Sequence, residues 1–200
     1  MDAGVNAEWD RLRTVVLHRP GIEMFLGLLE PYTSLYERAF SRYRARIEHS
    51  RLADTLHDEF GVKVRYLKEE ILAAADNRPE IRMNLVNAAR EAISFSGGEK
   101  EIRLAWRDFE KNKDILDAGH FFNILLLNPV IDLHSRQGAR DIQLQVTERQ
   151  PLSNLFFMRD QQVVAKKGVI LSRMAKPQRR REPLLTEFFW ETTGTPVISR

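Results

Sequence analysis

The stretch VKVRYL (residues 62–67) alternates apolar and polar side chains, which is the pattern of a β-strand with one buried face. Before it, residues 34–60 repeat apolar side chains roughly on one face of a helix, and Gly61 is a suitable residue to end that helix. Further back, residues 12–18 (LRTVVLH) form a β-branched run that Arg19-Pro20-Gly21 closes with a turn. Strand, long helix and strand in succession predict an α/β unit.

The ends of the predicted helices follow from capping and breaking residues. A capping box at residues 34–37, with a hydroxyl and a carboxylate three positions apart, predicts the start of the long helix. After the second strand the sequence predicts helices at residues 80–95 and 99–117, whereas periodicity leaves residues 120–127 open between helix and strand. We therefore predict an all-α helical insert over residues 68–141.

Strand character returns after the insert, with short alternating runs separated by turn residues. The predicted elements are strands at residues 142–147, 155–158, 162–165 and 168–171, a helix at 182–193 that Gly194 ends, and a strand from residue 196. The last two strands before the helix form a hairpin about Lys166-Lys167-Gly168. We assign residues 1–67 and 142–200 to one α/β domain that the insert interrupts.

The composition excludes several classes of protein. The 200 residues carry 31 lysines and arginines against 28 acids, and a net charge of +3 does not call for nucleic acid as a partner. Because no cysteine is present, this chain supplies no disulfide, thiolate metal site or cysteine nucleophile. The first residues lack the pattern of a signal peptide, and no apolar run approaches the roughly 20 residues that cross a bilayer. We expect a cytoplasmic protein without membrane contact and without a cofactor.

The segment Pro151 to Glu182 holds the residues of greatest chemical interest: PLSNLFFMRDQQVVAKKGVILSRMAKPQRRRE. Asp160 follows an apolar run and Arg159. A carboxylate at the end of a buried strand is costly unless a cation or several donors meet it. The residues alone therefore predict that Asp160 pairs with Arg159 or with another arginine, or that it caps a turn.

This segment resembles the arginine deiminase family of guanidine-modifying enzymes, whose members carry P-x-x-N-x-x-F-x-R-D and then R-R-x-E. The sequence supplies Pro151, Asn154, Phe157, Arg159 and Asp160, followed by Arg179, Arg180 and Glu182 at matching spacing. An early VLHRPG (residues 16–21) and the helical insert are two further landmarks of that family. The resemblance implies the first modules of an α/β-propeller, a pentein-like ring, with the insert placed between them.

The resemblance also implies roles for four residues. In the family the aspartate of the Arg-Asp pair holds the substrate guanidinium, which makes Asp160 the catalytic and substrate-binding carboxylate. The physical reason is that a fixed carboxylate accepts the paired N–H donors of a planar guanidinium. Phe157 would stack on this guanidinium or wall the pocket and exclude water. Asn154 and Arg179 match positions that bind the amino-acid end of the substrate, and no metal is implied.

Structural roles stay open for several of these residues. Asn154 is equally suited to a turn, and Phe157 to a core. For Arg159 we favour a structural ion pair, and for Arg180-Arg181 a solvated basic run. The five histidines are interpreted as structural, surface or core residues, without metal-ligand spacing: His18, His49, His57, His120 and His134.

The family's chemistry needs residues that this chain does not show. A cysteine thiolate attacks the guanidinium carbon and a histidine moves protons, and both lie downstream of the matched segment in the family. The resemblance therefore implies an N-terminal, substrate-binding portion that converts L-arginine to citrulline and ammonia only with a second chain. The alternative is a non-catalytic arginine- or guanidine-binding or regulatory protein, or an inactive truncated remnant. Expected partners are L-arginine or a related guanidine compound, and a protein bearing the C-terminal catalytic half or further copies of this chain.

Overall fold

A computed structural model describes residues 4–7, 9–133, 145–148 and 150–200. The helices in these ranges are α1 (Ile22–Gly27), α2 (Arg42–Asp58), α3 (Leu67–Asn77), α4 (Pro79–Ala92), α5 (Glu99–Asn112), α6 (Ala118–Leu127) and α7 (Glu182–Thr193). The strands are β1 (Thr14–Leu17), β2 (Lys63–Tyr66), β3 (Ser94–Ser96), β4 (Pro129–Asp132), β5 (Gln145–Glu148), β6 (Gln162–Ala165), β7 (Gly168–Leu171) and β8 (Val197–Ser199). The fold is mixed α/β, and its three small sheets do not close into a ring within the described residues.

The chain divides into two compact units, Met1–Ala74 with Leu152–Arg200, and Ala75–Pro151. In the first unit β1 pairs with β2 in parallel, with Thr14 opposite Lys63. Parallel neighbours need a crossover connection, which α1 and α2 supply. The predicted strand–helix–strand unit is therefore confirmed.

The elements after residue 161 follow the prediction from sequence. Strands β6 and β7 form an antiparallel hairpin, and β7 pairs in parallel with β8 after the crossover through α7. Helix α7 buries the apolar side chains Leu185, Phe188 and Phe189. It ends at Gly194, whose φ of 69° lies in the left-handed region where glycine is favoured. These elements place the start of β6 and the start of α7 in the same unit.

The long helix starts later than the capping box predicts. Helix α2 begins after Ser41, whose hydroxyl accepts the backbone N–H of Arg44 at 3.3 Å. Ser34 is buried, and its carbonyl accepts a hydrogen bond from the side chain of Asn154. Leu35 has a φ of 64°, which a right-handed helix excludes. The predicted capping box is wrong because a long-range contact and a left-handed residue occupy this position.

The predicted strand at residues 155–158 is also wrong. The backbone forms successive turns instead, in which the N–H of Phe157 donates to the carbonyl of Asn154 at 3.0 Å and that of Asp160 to the carbonyl of Phe157 at 3.2 Å. Leu155 and Met158 are buried while Phe157 is exposed. A short apolar run has the same sequence pattern in a buried strand and in a buried tight loop, so the pattern does not distinguish the two structures.

The insert was predicted to be all-α, but the second unit also contains β-strands. Strands β3 and β4 pair in parallel, and β5 pairs antiparallel with β4. The helix predicted at residues 80–95 ends at Ala92, and the pairing of β3 with β4 joins residues distant in sequence, which no local pattern indicates. Strand β5 overlaps the predicted strand at residues 142–147, of which residues 142–144 lie outside the described residues.

The stretch that periodicity left open, residues 120–127, belongs to helix α6. Asp117 caps this helix by accepting the backbone N–H of His120 at 2.9 Å. The helix buries Phe121, Phe122 and Leu125. Among the helices in the described ranges, none is both long and apolar enough to cross a membrane.

Candidate functional site

The predicted site residues lie on two pieces of the first unit, next to the start of α7. They are the turns at residues 152–160 and the 3₁₀ turn Pro177–Arg179, and the first turn of α7 adds Glu182, which the sequence did not predict as a site residue. The N–H of Ser172, just after β7, donates to the carbonyl of Gln161 at 2.8 Å and so anchors the entry to β6. Asp160 directly precedes this anchored residue, which fixes the position of its backbone.

Asp160 and Arg179 form an ion pair, with Nη1 of Arg179 2.6 Å from Oδ2 of Asp160. The same guanidinium binds Glu182, whose carboxylate accepts from Nε at 3.0 Å and from Nη2 at 2.8 Å. Glu182 is fully buried, whereas 47% of the Asp160 side chain is exposed. The predicted pairing of Asp160 with an arginine is therefore present, and its partner is Arg179.

Glu182 organises the buried side of the site. Its Oε2 also accepts a hydrogen bond from Nε2 of the buried Gln161 at 2.8 Å. As the first residue of α7, its carboxylate lies at the positive end of the helix dipole. Burial lowers the pKa of Arg179, but the hydrogen bonds to Glu182 and Asp160 outweigh burial and raise that pKa above its usual value. Arg179 is therefore a permanent cation at this position.

Phe157 presents an aromatic surface next to the ion pair. Its side chain is exposed, and the guanidinium carbon of Arg179 lies 5.8 Å from the ring centroid. The ring of Phe156 packs next to it, with the two centroids 4.1 Å apart. An exposed ring beside a cation is the geometry of a cation–π contact. Phe157 is thus not a core residue here.

Asn154 is engaged within the protein, on the buried side of the loop. Its side-chain amide donates to the carbonyl of Ser34 at 2.8 Å, and both residues are buried. This bond joins the turns after Pro151 to the segment before α2. The structure thus brings Phe157, Asp160 and Arg179 together, while the amide of Asn154 makes a structural contact.

Tyr36 makes a second hydrogen bond to the same loop, one that the sequence did not predict. Its hydroxyl donates to the carbonyl of Ser153 at 2.6 Å. Burial raises the pKa of Tyr36 to about 12, and the negative charges of Glu23 and Glu182 add to the rise. Tyr36 therefore stays neutral and holds the residue next to Asn154. No local pattern marks such a contact, because its partners are 117 positions apart in sequence.

Replacing Tyr36 with phenylalanine is expected to change how stability depends on pH. The unfolded phenol ionises near pH 10, so the unfolded state loses its proton before the folded state, whose pKa is about 12. The contribution of Tyr36 to the free energy of unfolding of the wild type is thus constant below about pH 10, and it falls by about 2 kcal/mol as the pH rises toward 12. Tyr36→Phe should lack this extra fall and lose about 1–2 kcal/mol at neutral pH. Urea unfolding at two pH values measures both effects, and equal slopes with pH would contradict the assignment.

Gly27 allows α1 to approach the same loop closely. A Cβ added at Gly27 would lie 2.5 Å from the Cβ of Ser153. Gly27→Ala is therefore expected to cost about 1–3 kcal/mol of unfolding free energy by overpacking. The double variant with Ser153→Gly removes the opposing atom and should recover most of that loss. Thermal unfolding of the single and double variants checks this, and a double variant no more stable than Gly27→Ala would refute the close contact.

His18 has a structural environment, as its sequence position suggested. Its Nε2 lies 3.2 Å from Oε1 of the buried Glu23, and the same oxygen accepts the N–H of Gly21 at 2.7 Å. These bonds hold the turn between β1 and α1. In the part of the chain that the structure describes, no group of three or more histidines, cysteines and acids could hold a metal ion.

Comparisons with known proteins identify the family of this chain. The model of the arginine deiminase family matches residues 33–195. The chain is 28% identical over 199 residues to the arginine deiminase of Halobacterium salinarum, which covers 92% of the chain and 39% of that protein. It is 30% identical over 206 residues to arginine deiminase 1 of Staphylococcus epidermidis, which covers 92% of the chain and 44% of that protein. The chain belongs to the arginine deiminase family.

The match is partial with respect to these relatives. The arginine deiminase of Oenococcus oeni is 29% identical over 191 residues, again with 92% of the chain and 44% of the relative covered. The chain thus spans about two fifths of the length of the curated relatives it matches. The matched range includes all four predicted site residues.

Proposed function

We propose that this chain is the substrate-binding portion of an arginine deiminase-like enzyme, with L-arginine as the substrate. One observation carries the proposal: the Asp160 carboxylate already accepts a guanidinium, that of Arg179, beside the exposed ring of Phe157. A carboxylate and an aromatic face are the two groups that recognise a guanidinium through charge-assisted hydrogen bonds and cation–π contact. Membership of the family supports arginine as the ligand.

The other residues would serve the amino-acid end of the substrate. Arg179 is fixed by Glu182 through Nε and Nη2, which leaves Nη1 on the side of Asp160. A fixed guanidinium of this kind suits an α-carboxylate. Asn154 would act indirectly, by fixing its loop through the hydrogen bond that its amide donates to the carbonyl of Ser34.

We propose the same domain organisation as the sequence predicts. Residues 68–141 would form the insert, and residues 1–67 with 142–200 would form the first modules of a pentein-like propeller in a cytoplasmic protein.

Bond breaking would require groups from outside these 200 residues, which contain no cysteine. A thiolate would attack the guanidinium carbon, ammonia would leave, and water would release citrulline from the covalent adduct. A histidine would deliver a proton to the departing ammonia and accept one from the water. We propose that a protein partner bearing the C-terminal catalytic half supplies both groups.

A complementation assay tests this function. The chain alone is expected to give no citrulline from L-arginine, and mixing it with the cysteine-bearing C-terminal portion of a family member should restore citrulline and ammonia in equal amounts. The matched control carries Cys→Ser in that portion and should stay inactive. A stable complex of the two chains that still makes no citrulline would contradict the proposal.

A further inference from the structure

The loop between β7 and α7 (residues 172–181) begins and ends beside Asp160. At its start, the N–H of Ser172 donates to the carbonyl of Gln161 at 2.8 Å. Near its end, Nη1 of Arg179 lies 2.6 Å from Oδ2 of Asp160. Because both ends are tied to the same position, the loop forms one border of the candidate site.

This border carries a cluster of exposed cations, which we call the basic rim. Its members are Arg173, Lys176 and Arg180 on the loop, and Arg159 on the adjoining turn. Among the residues that the structure describes, no acid forms an ion pair with Arg173, Lys176 or Arg180. Asp160 is already paired with an arginine of the same loop. The basic rim therefore leaves this border of the site with an excess of positive charge.

The charge of the basic rim opposes the proposed substrate. L-arginine carries a net positive charge at neutral pH, and exposed like charges repel one another over about 8–10 Å at physiological salt. The basic rim therefore does not draw the substrate toward Asp160. An anionic surface that covers the basic rim removes this repulsion, and complementary charge also speeds the association of two proteins.

The proposed chemistry brings a partner to this border. A thiolate attacks when it lies about 3–3.5 Å from the reacting carbon, and the proposed function places the guanidinium carbon beside Asp160. The partner surface around its cysteine must then lie against the residues that surround Asp160. We propose that this partner surface is acidic and docks on the basic rim, an inference that rests on the proposed function. Nucleic acid would satisfy the same cations but would bring no thiolate.

Stopped-flow measurement of association between the full chain and the cysteine-bearing C-terminal portion of a family member tests the docking. Arg173→Glu combined with Lys176→Glu should lower the association rate constant about tenfold at low salt. The difference should largely disappear at about 1 M salt, where the Debye length is about 3 Å. The matched control is Lys166→Glu combined with Lys167→Glu, the same charge change at the turn between β6 and β7. This control should associate at a rate within about twofold of wild type, because the turn lies at the other end of both strands from Asp160.

The replaced side chains are exposed, so each variant should fold like wild type, which circular dichroism checks. Arg173→Gln combined with Lys176→Gln removes the charge without reversing it and should give an intermediate rate. If both charge-reversed variants associate at the same rate and their complexes make citrulline, the docking is overturned and the proposed function stands. If wild type forms no complex with the partner, the docking and the proposed function both fail. Tighter binding of a single-stranded oligonucleotide than of the partner would overturn the docking in favour of nucleic acid.

Discussion

Replacing Glu182 with alanine is expected to lower the free energy of unfolding by about 3–5 kcal/mol, the range for removing one partner of a buried ion pair. Glu182 is fully buried and accepts hydrogen bonds from both Arg179 and Gln161. Without it, Arg179, of whose side chain only 13% is exposed, keeps the half-exposed Asp160 as its one anionic partner among the residues that the structure describes. Urea denaturation followed by circular dichroism measures the change.

A matched control comes from the same helix. Glu191 is exposed near the other end of α7, and Glu191→Ala should change stability by less than about 0.5 kcal/mol. Glu182→Gln should be intermediate, because an amide keeps hydrogen-bonding capacity while it removes the charge. If Glu182→Ala were no more costly than Glu191→Ala, the buried network would not organise this side of the site.

Replacing Asp160 with asparagine is expected to weaken L-arginine binding roughly 100-fold, which corresponds to about 3 kcal/mol for the loss of one charge partner. Asparagine keeps the size of the side chain, so the effect isolates the charge. The fold should lose less than about 1 kcal/mol, since the ion pair of Asp160 with Arg179 is half exposed and Glu182 remains. Isothermal titration calorimetry gives the affinity, and urea unfolding gives the stability.

The control for this variant is Asp54→Asn, which makes the same charge change at an exposed residue of α2. Its arginine affinity should equal that of wild type. If Asp54→Asn and Asp160→Asn weakened binding equally, the effect would arise from net charge and not from recognition by Asp160.

The parts of the fold that local chemistry decides could be predicted from sequence. The hairpin of β6 and β7 follows from its turn residues, and α7 follows from its apolar stripe and from Gly194. The predicted capping box at residues 34–37 was wrong because Ser34 accepts a hydrogen bond from Asn154, which is distant in sequence. The strands β3 and β4 were not predicted, because they pair with each other over a long distance in sequence and because residues 94 and 95 were assigned to the helix predicted at residues 80–95.

The candidate site shows the same division. The pairing of Asp160 with an arginine was predicted from the cost of an unpaired carboxylate at a buried strand end. The ion pair is present, although turns replace the predicted strand and Asp160 is half exposed. Which arginine meets it depends on the 3₁₀ turn that returns the chain to this point, 19 positions later. Gln161 and Tyr36 contribute through burial and distant partners, so no spacing rule could have selected them.

The most direct test of guanidine recognition at Asp160 is a titration of the ¹⁵N-labelled chain with L-arginine, followed by ¹H–¹⁵N correlation spectra. We expect saturable shifts for the amides of residues 154–161 and 179–182, and none of these shifts in Asp160→Asn. No saturable change in these amides, or the same changes in Asp160→Asn, would contradict the account.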